Sequence, residues 1–145
     1  MIPAVYQFRV QSDVTYLEKV RLWAAHVARE RGFDERGAFE VEISVYEACA
    51  NVMEHAYGND TGKFIDLMIT ILDGKLIITI QDEGGVFDPS SLRDKDIAKM
   101  IETEQDGGLG LFILEACMDE ILYRRSGSRN ILELIKYIPP VAPPV

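Results

Sequence analysis

The 145-residue sequence predicts an α+β fold, a two-layer sandwich in which helices cover one face of a mixed, mostly antiparallel sheet. Two apolar runs of period two flank Asp73-Gly74, a dipeptide typical of a hairpin turn. Stretches with apolar residues at helical spacing lie on either side of this hairpin. A second pair of strand-like runs, joined by Gly127-Ser128, follows the last helical stretch.

The first half of the chain is predicted to form one strand and two helices. Residues 4–11 contain aromatic and β-branched types in loose alternation, which is typical of a strand. Ser12 is a candidate N-cap for an amphipathic helix over 13–31. Asp34 is a candidate cap for a second helix, which runs to about residue 57.

The second half is predicted to contain four strands and one apolar helix. The strands are placed at 63–72, 75–82, 121–126 and 130–138, and the helix runs from Gly107 to about Met118.

A long polar connection separates the first hairpin from the apolar helix. Residues 88–106 include a possible short helix with Ile97, Met100 and Ile101, and glycines close the connection at both ends. Connections of this length are often functional, so we expect a mobile lid. We predict one domain over 1–138, followed by a proline-rich surface tail at 139–145.

Composition restricts the possible partners and the compartment. A net charge of −9 argues against a nucleic-acid backbone as the main partner. No charged leader and no apolar run long enough to cross a membrane is seen, so we expect a cytoplasmic protein without membrane contact. Cys49 and Cys117 lie in apolar helical patterns and are predicted to be reduced core thiols.

The second helix has a narrow polar seam on an otherwise apolar surface, which predicts that the helix is buried. Six polar side chains fall within one sector of its helical wheel: Glu40, Ser44, Glu47, Asn51, Glu54 and His55. Buried polar groups are costly unless they are paired, so the seam has either protein partners or a ligand.

Glu47 and Asn51 are four residues apart and therefore project from one face of this helix. An amide oxygen is a hard ligand suited to Mg²⁺, and a neighbouring carboxylate can accept a proton from a hydroxyl. The same spacing also occurs on many exposed helices without any function, and the spacing alone favours that reading.

Two glycine-containing segments are further candidates for a ligand site. Asp82 ends a strand beside Gly84, where a carboxylate could accept a hydrogen bond from an exocyclic amine. Gly107, Gly108 and Gly110 precede a helix, whose free N–H groups and dipole attract anions. Each segment taken alone is more simply explained as a turn or a loop.

Taken together and in this order, the three segments resemble a known set of motifs. EACAN at 47–51, DEGGVFD at 82–88 and GGLGL at 107–111 resemble the N, G1 and G2 boxes of the Bergerat-fold ATPases. The longer stretches EACANVMEHAY, DEGGVFDP and GGLGLFILEACMDEILYRR are similar to the anti-sigma-factor serine kinases of bacterial stress and sporulation switches.

The resemblance implies a role for each motif residue. Asn51 would be the Mg²⁺ ligand and Glu47 the catalytic base, Asp82 would contact the adenine amino group with Gly84 beside the ring, and residues 88–106 would be the ATP lid. The ATP-binding set would comprise Asn51, Asp82, Gly84, Gly107, Gly108, Leu109, Gly110 and Leu111.

The resemblance also implies a reaction and partners. The reaction would transfer the γ-phosphoryl group of ATP to a serine or threonine of a STAS-domain anti-anti-sigma protein. A sigma factor would be a second partner, and the kinase would form a homodimer.

Three residues before the G2 glycines and one residue of the second helix have further implications. Glu104, Gln105 and Asp106 stand where some relatives have a basic residue before the G2 glycines, which puts the catalytic rate in doubt more than nucleotide binding. His55 continues the polar seam and is expected to orient Asn51 or Glu47.

Two alternatives to a serine kinase remain open at this point. One is a binding module that holds nucleotide and sequesters a regulatory partner without significant kinase activity. The other is a detached catalytic domain of a sensor kinase, which would phosphorylate a histidine instead.

Overall fold

The computed structural model describes residues 2–92 and 107–140, which form an antiparallel sheet with helices on one face. The strands are β1 (Ala4–Gln11), β2 (Phe64–Leu72), β3 (Lys75–Asp82), β4 (Glu120–Ser126) and β5 (Arg129–Tyr137). The helices are α1 (Leu17–Glu30), α2 (Glu35–Asn51) and α3 (Gly107–Cys117).

The five strands are ordered β1-β2-β3-β5-β4, and all four pairings are antiparallel. Asp73 and Gly74 both have positive φ in the turn between β2 and β3, as a type I′ hairpin requires. The predicted α+β sandwich is confirmed. Most of the predicted lid, together with the last residues of the tail, lies outside the described residues.

The core lies between the helices and the sheet. Because side chains alternate between the faces of a strand, the apolar residues of period two in β2 and β3 all face the helices. The fully or almost fully buried core residues of the sheet and α2 include Ile65, Leu67, Ile69, Leu76, Ile78, Ile80, Leu134, Val41 and Val45. Cys49 is wholly buried in this core, Cys117 is half-buried, and both thiols are free.

The start of α1 differs from the prediction. The Asp13 carboxylate accepts a hydrogen bond from the Thr15 backbone N–H at 3.0 Å and caps a short 3₁₀ turn that leads into the helix. Ser12 is therefore not the N-cap. Its hydroxyl donates to the Asp60 carbonyl at 2.6 Å and accepts from the Lys63 N–H at 3.1 Å, so that it fixes the loop before β2.

The second helix begins as predicted and changes geometry at its end. The Asp34 carboxylate accepts a hydrogen bond from the Gly37 N–H at 2.8 Å, which confirms the cap. After Asn51 the chain continues as one π-helical turn, Val52–Ala56. Single π-helical turns often occur at functional sites, and this one directly follows the proposed metal ligand.

No helix in residues 2–92 and 107–140 combines the length and the hydropathy needed to span a bilayer.

Candidate functional site

The predicted base and metal ligand meet the glycine-rich end of α3. A Cβ atom built on Gly110 would lie 3.0 Å from Asn51 Nδ2 and 3.3 Å from Glu47 Oε2. Gly110 is buried, and a side chain at this position would require both polar groups to shift by a few tenths of an ångström. The two side chains that the sequence placed on one face of α2 therefore face the first turn of α3.

Asn51 is almost fully buried, and its amide nitrogen has no hydrogen-bond partner within the described part of the chain. A buried polar group without a partner costs about 1–3 kcal/mol. Because this nitrogen is a donor, it calls for an acceptor, such as a phosphate oxygen of a ligand or a water. Glu47, one turn earlier and half-buried, would flank the same ligand.

The first turn of α3 supplies the backbone donors of the site. The helix begins at Gly107, so the N–H groups of its first residues have no acceptor within the helix. With the helix dipole, they favour an anion such as a phosphate. Leu111, a predicted member of the phosphate-binding set, is buried, so that only its backbone could contribute.

Asp82 ends β3, and its side chain is 4% exposed. Its Oδ1 accepts hydrogen bonds from the Gly84 N–H and from Asn130 Nδ2, each at 2.8 Å. Burial raises the pKa of Asp82 above its ordinary value, while these two hydrogen bonds and the charge of Arg125 act in the opposite direction. The carboxylate is thus held in place by its neighbours.

Gly84 is required by packing. A Cβ atom at this position would lie 2.4 Å from the carbonyl oxygen of Ala56, closer than backbone atoms tolerate. The Gly85 N–H donates to the same oxygen at 2.9 Å, so residues 82–88, the G1 loop, are attached to the end of the π-helical turn. That Gly84 also lies beside an adenine ring remains a prediction.

The sequence interpretation missed Asn130, which is 3% exposed and lies at the start of β5. In addition to Asp82, its amide nitrogen donates to the Gly85 carbonyl at 2.8 Å. The signal was available, because Asn130 is the one polar residue before Leu132 and Leu134 in the core-facing register of β5. A polar residue in such a position needs a partner.

The polar seam of α2 divides into three parts. Glu40 forms an ion pair with Lys136 at 2.8 Å, and the Ser44 hydroxyl donates to the Glu40 carbonyl at 2.7 Å, so these two residues have protein partners. Glu54 and His55 lie toward solvent at the far end. The central part, with Glu47 and Asn51, faces the first turn of α3, whereas Ser44 and Glu40 lie near its last residue, Cys117.

His55 does not have the surroundings that were expected of it. Its ring stacks on Phe87, with centroids 4.8 Å apart, and its Nε2 lies 3.8 Å from Glu54. These contacts give no support to the idea that His55 orients Asn51 or Glu47. They attach the G1 loop to the π-helical turn.

The described residues contain no cluster of three or more His, Cys, Asp and Glu side chains that could hold a metal ion. Mg²⁺ in nucleotide sites usually has one or two protein ligands and several waters and phosphate oxygens. The amide of Asn51 therefore fits such an ion only together with a nucleotide.

The chain is similar to proteins of known family and fold. A family model described as histidine kinase-like ATPase domain matches residues 10–136. The chain is 32% identical over 136 residues to the serine-protein kinase RsbW of Bacillus cereus (strain AH820), covering 91% of this chain and 84% of the relative. RsbW of Bacillus thuringiensis (strain Al Hakam) is 31% identical with the same coverage.

Solved structures show the same fold. The histidine kinase domain of the blue-light activated kinase EL346 from Erythrobacter litoralis has a TM-score of 0.54 and 16% identity, covering 89% of this chain and 62% of that one. The Acinetobacter baumannii histidine kinase AdeS has a TM-score of 0.52 and 16% identity, covering 95% and 69%.

Proposed function

Because the chain belongs to the histidine kinase-like ATPase domain family, we propose that it is an ATP-dependent serine/threonine-protein kinase. The substrate would be a STAS-domain anti-anti-sigma protein. The kinase would also act as an anti-sigma factor, by binding a sigma factor. The relatives named serine-protein kinase RsbW support this proposal. The histidine kinases share only the fold.

The observation that carries the proposal is the convergence of Glu47, Asn51 and Gly110. A carboxylate, an amide with an unpartnered nitrogen and the N-terminus of a helix meet at one point. In phosphoryl transfer, positioning and neutralisation of charge supply most of the catalysis. Glu47 would accept the proton of the attacking hydroxyl, and the α3 N–H groups would hold phosphate oxygens.

The nucleotide would extend from this point to Asp82. Asn51 would bind Mg²⁺, which, when bound, neutralises phosphate charge and orients the phosphates. The Asp82 carboxylate would accept a hydrogen bond from the adenine amino group, with Gly84 beside the ring. The phosphates would lie against Gly107, Gly108, Leu109, Gly110 and Leu111, and residues 88–106 would close over them.

The wider assignment has three further parts. The ATPase domain would span residues 1–138, with 139–145 as a separate tail. The protein would act in the cytoplasm and form a homodimer. Size-exclusion chromatography with light scattering tests the dimer directly.

The test of the kinase function is transfer of the ³²P-labelled γ-phosphoryl group of ATP–Mg²⁺ to the cognate STAS-domain protein. We expect the Glu47→Gln variant to lose transfer by about 10²–10⁴-fold, the usual contribution of a general base, while its affinity for ADP changes little. Glu54→Gln is the matched control, because Glu54 is exposed one turn beyond the site.

Three outcomes would argue against parts of this proposal. Transfer at the wild-type rate by Glu47→Gln would exclude Glu47 as the base. ADP binding without transfer to the STAS protein would instead favour a binding module that sequesters its partner. An acid-labile product would indicate a phosphohistidine, since phosphoserine survives acid.

A further inference from the structure

Asn130 makes hydrogen bonds to three parts of the G1 loop. Its Nδ2 donates to Asp82 Oδ1 and to the Gly85 carbonyl, each at 2.8 Å. Its Oδ1 accepts from the Phe87 N–H at 3.4 Å. One buried amide thus determines the position of the loop that carries the proposed adenine contact.

The orientation of this amide is fixed by β4. Asn130 Oδ1 also accepts from the Tyr123 hydroxyl at 2.6 Å and from Arg125 Nη1 at 3.1 Å. Arg125 Nη1 donates in addition to the Gly84 carbonyl at 2.9 Å. If the amide were rotated by half a turn, its NH₂ group would face three donors, and its oxygen would face the Asp82 carboxylate.

The fixed amide controls the protonation of Asp82. Because Oδ1 of Asp82 accepts from both the Gly84 N–H and Asn130 Nδ2, a proton on Oδ1 would displace a donor. These bonds favour the ionised carboxylate, whereas burial raises the pKa of Asp82. An ionised carboxylate only accepts hydrogen bonds, while a protonated one can also donate.

We propose that Asn130 is a positioning and specificity-determining residue that keeps Asp82 an obligate acceptor and so selects a purine with an amine at C6. A purine with a carbonyl at C6 presents an acceptor and is rejected, because two acceptors would face each other. This inference rests on the proposed function, since it assumes that Asp82 contacts the base.

The test compares ADP with IDP, which carries a carbonyl at C6, by isothermal titration calorimetry in the presence of Mg²⁺. We expect the wild type to prefer ADP by on the order of 100-fold or more, as in sites built around a hydrogen bond to the substrate. In the Asn130→Asp variant two carboxyl groups face each other, and their repulsion raises the pKa of the pair and favours a proton shared between them. The preference for ADP should then fall by about tenfold.

A second variant and a control separate this role from a structural one. In Asn130→Ala, Asp82 loses one donor and protonates more readily, so of two measurements at pH 6 and pH 8.5 the one at the lower pH should show the weaker preference for ADP. Gln81→Glu is the matched control for Asn130→Asp, since it also converts an amide to a carboxylate. It does so on the opposite face of the sheet, where the Gln81 side chain accepts a hydrogen bond from Arg129. It should behave as the wild type.

The outcomes distinguish the inference from the function on which it rests. If both Asn130 variants weaken ADP and IDP by the same factor at both pH values, Asn130 is merely structural and the inference is overturned. Equal affinity of the wild type for ADP and IDP would overturn it as well. A wild type that binds no ADP contradicts the proposed function itself.

Discussion

At the scale of single residues, Asp82 illustrates a conflict between stability and binding. A buried carboxylate is costly, and here burial raises its pKa above the ordinary value. Folding therefore favours the protonated form, while the proposed contact with adenine needs the ionised one. Strained or costly groups of this kind are typical of functional sites.

We therefore predict that the Asp82→Asn variant is more stable than the wild type at pH 7, by about 1 kcal/mol, and binds ADP at least tenfold more weakly. The side-chain oxygen at the substituted position can still accept hydrogen bonds from the Gly84 N–H and from Asn130 Nδ2, while the substitution removes the buried charge. Chemical denaturation and calorimetry measure the two effects.

The pH dependence of this difference follows from the sign of the shift. Because the pKa of Asp82 is raised in the folded state, the wild type loses stability as the pH rises from below 3.8, the ordinary value, through the folded pKa. The advantage of Asp82→Asn should be absent near pH 3 and should grow as the pH rises through the folded pKa. An advantage that is constant over this range would contradict the assignment.

The placement of Glu47 and Asn51 on one face of α2 and of Asp82 at the end of β3 could be predicted from the sequence, because it follows from one helix and one strand. Their roles rest on the resemblance and remain predictions. The contacts of Asn130 and Gly84 could not be predicted from the sequence. They depend on how β5 and the π-helical turn approach the G1 loop, and no local pattern specifies such long-range packing.

At the scale of elements, the π-helical turn and the G1 loop are joined by Tyr57. The Tyr57 hydroxyl accepts from the Glu83 N–H at 2.9 Å and donates to the Phe64 carbonyl at 2.5 Å. It therefore connects the end of α2, the start of β2 and the proposed adenine loop. The pKa of this hydroxyl is raised by burial, so it remains a donor at neutral pH.

We predict that Tyr57→Phe lowers the free energy of unfolding by about 1–2 kcal/mol, because the Glu83 N–H and the Phe64 carbonyl lose their partner. ADP affinity should fall by about three- to tenfold as the G1 loop loosens. Denaturant unfolding and calorimetry give the two numbers.

Tyr6→Phe is the control for this prediction, since Tyr6 accepts from Arg31 Nε at an exposed edge of the fold and lies far from the G1 loop in sequence. The Tyr6→Phe variant should change neither the free energy of unfolding nor the ADP affinity appreciably. Equal ADP affinity of Tyr57→Phe and the wild type would show that the other contacts of the G1 loop hold it without the Tyr57 hydroxyl.

The strands and helices themselves were predictable from sequence, since their hydrophobic periods are strong and the turn at Asp73-Gly74 determines the register of the first hairpin. The end of α2 was not. A π-helical turn and an α-helical turn have nearly the same sequence preferences, and packing against the G1 loop at Ala56 distinguishes them. The cap of α1 was misassigned because Ser12 and Asp13 are both good capping residues.

At the scale of the whole molecule, the proposed site depends on the complete fold. Its parts come from α2, α3 and the end of β3, and β5 and β4 hold the adenine loop. Few of these contacts can form before the sheet and the helices are assembled. A ligand that binds this arrangement binds only the native state, so it should stabilise the whole domain.

Cys49 provides a probe of that stability. It is wholly buried in the core, and burial raises its pKa to about 12. A thiol reagent should therefore modify it only when the domain unfolds.

In a Cys117→Ala background Cys49 is the single thiol. We predict that Mg²⁺ and ADP, with ADP at 100 times its dissociation constant, slow the labelling of Cys49 by Ellman's reagent about 100-fold. This factor corresponds to a stabilisation of about 2.7 kcal/mol. Adding Asp82→Asn should reduce this protection to about tenfold or less at the same ADP concentration, because the dissociation constant rises at least tenfold. Rapid labelling of Cys49 that ADP does not slow would show instead that α2 opens locally. The proposed base, Glu47, and the proposed metal ligand, Asn51, would then lie on a helix that separates from the core while the rest of the domain stays folded.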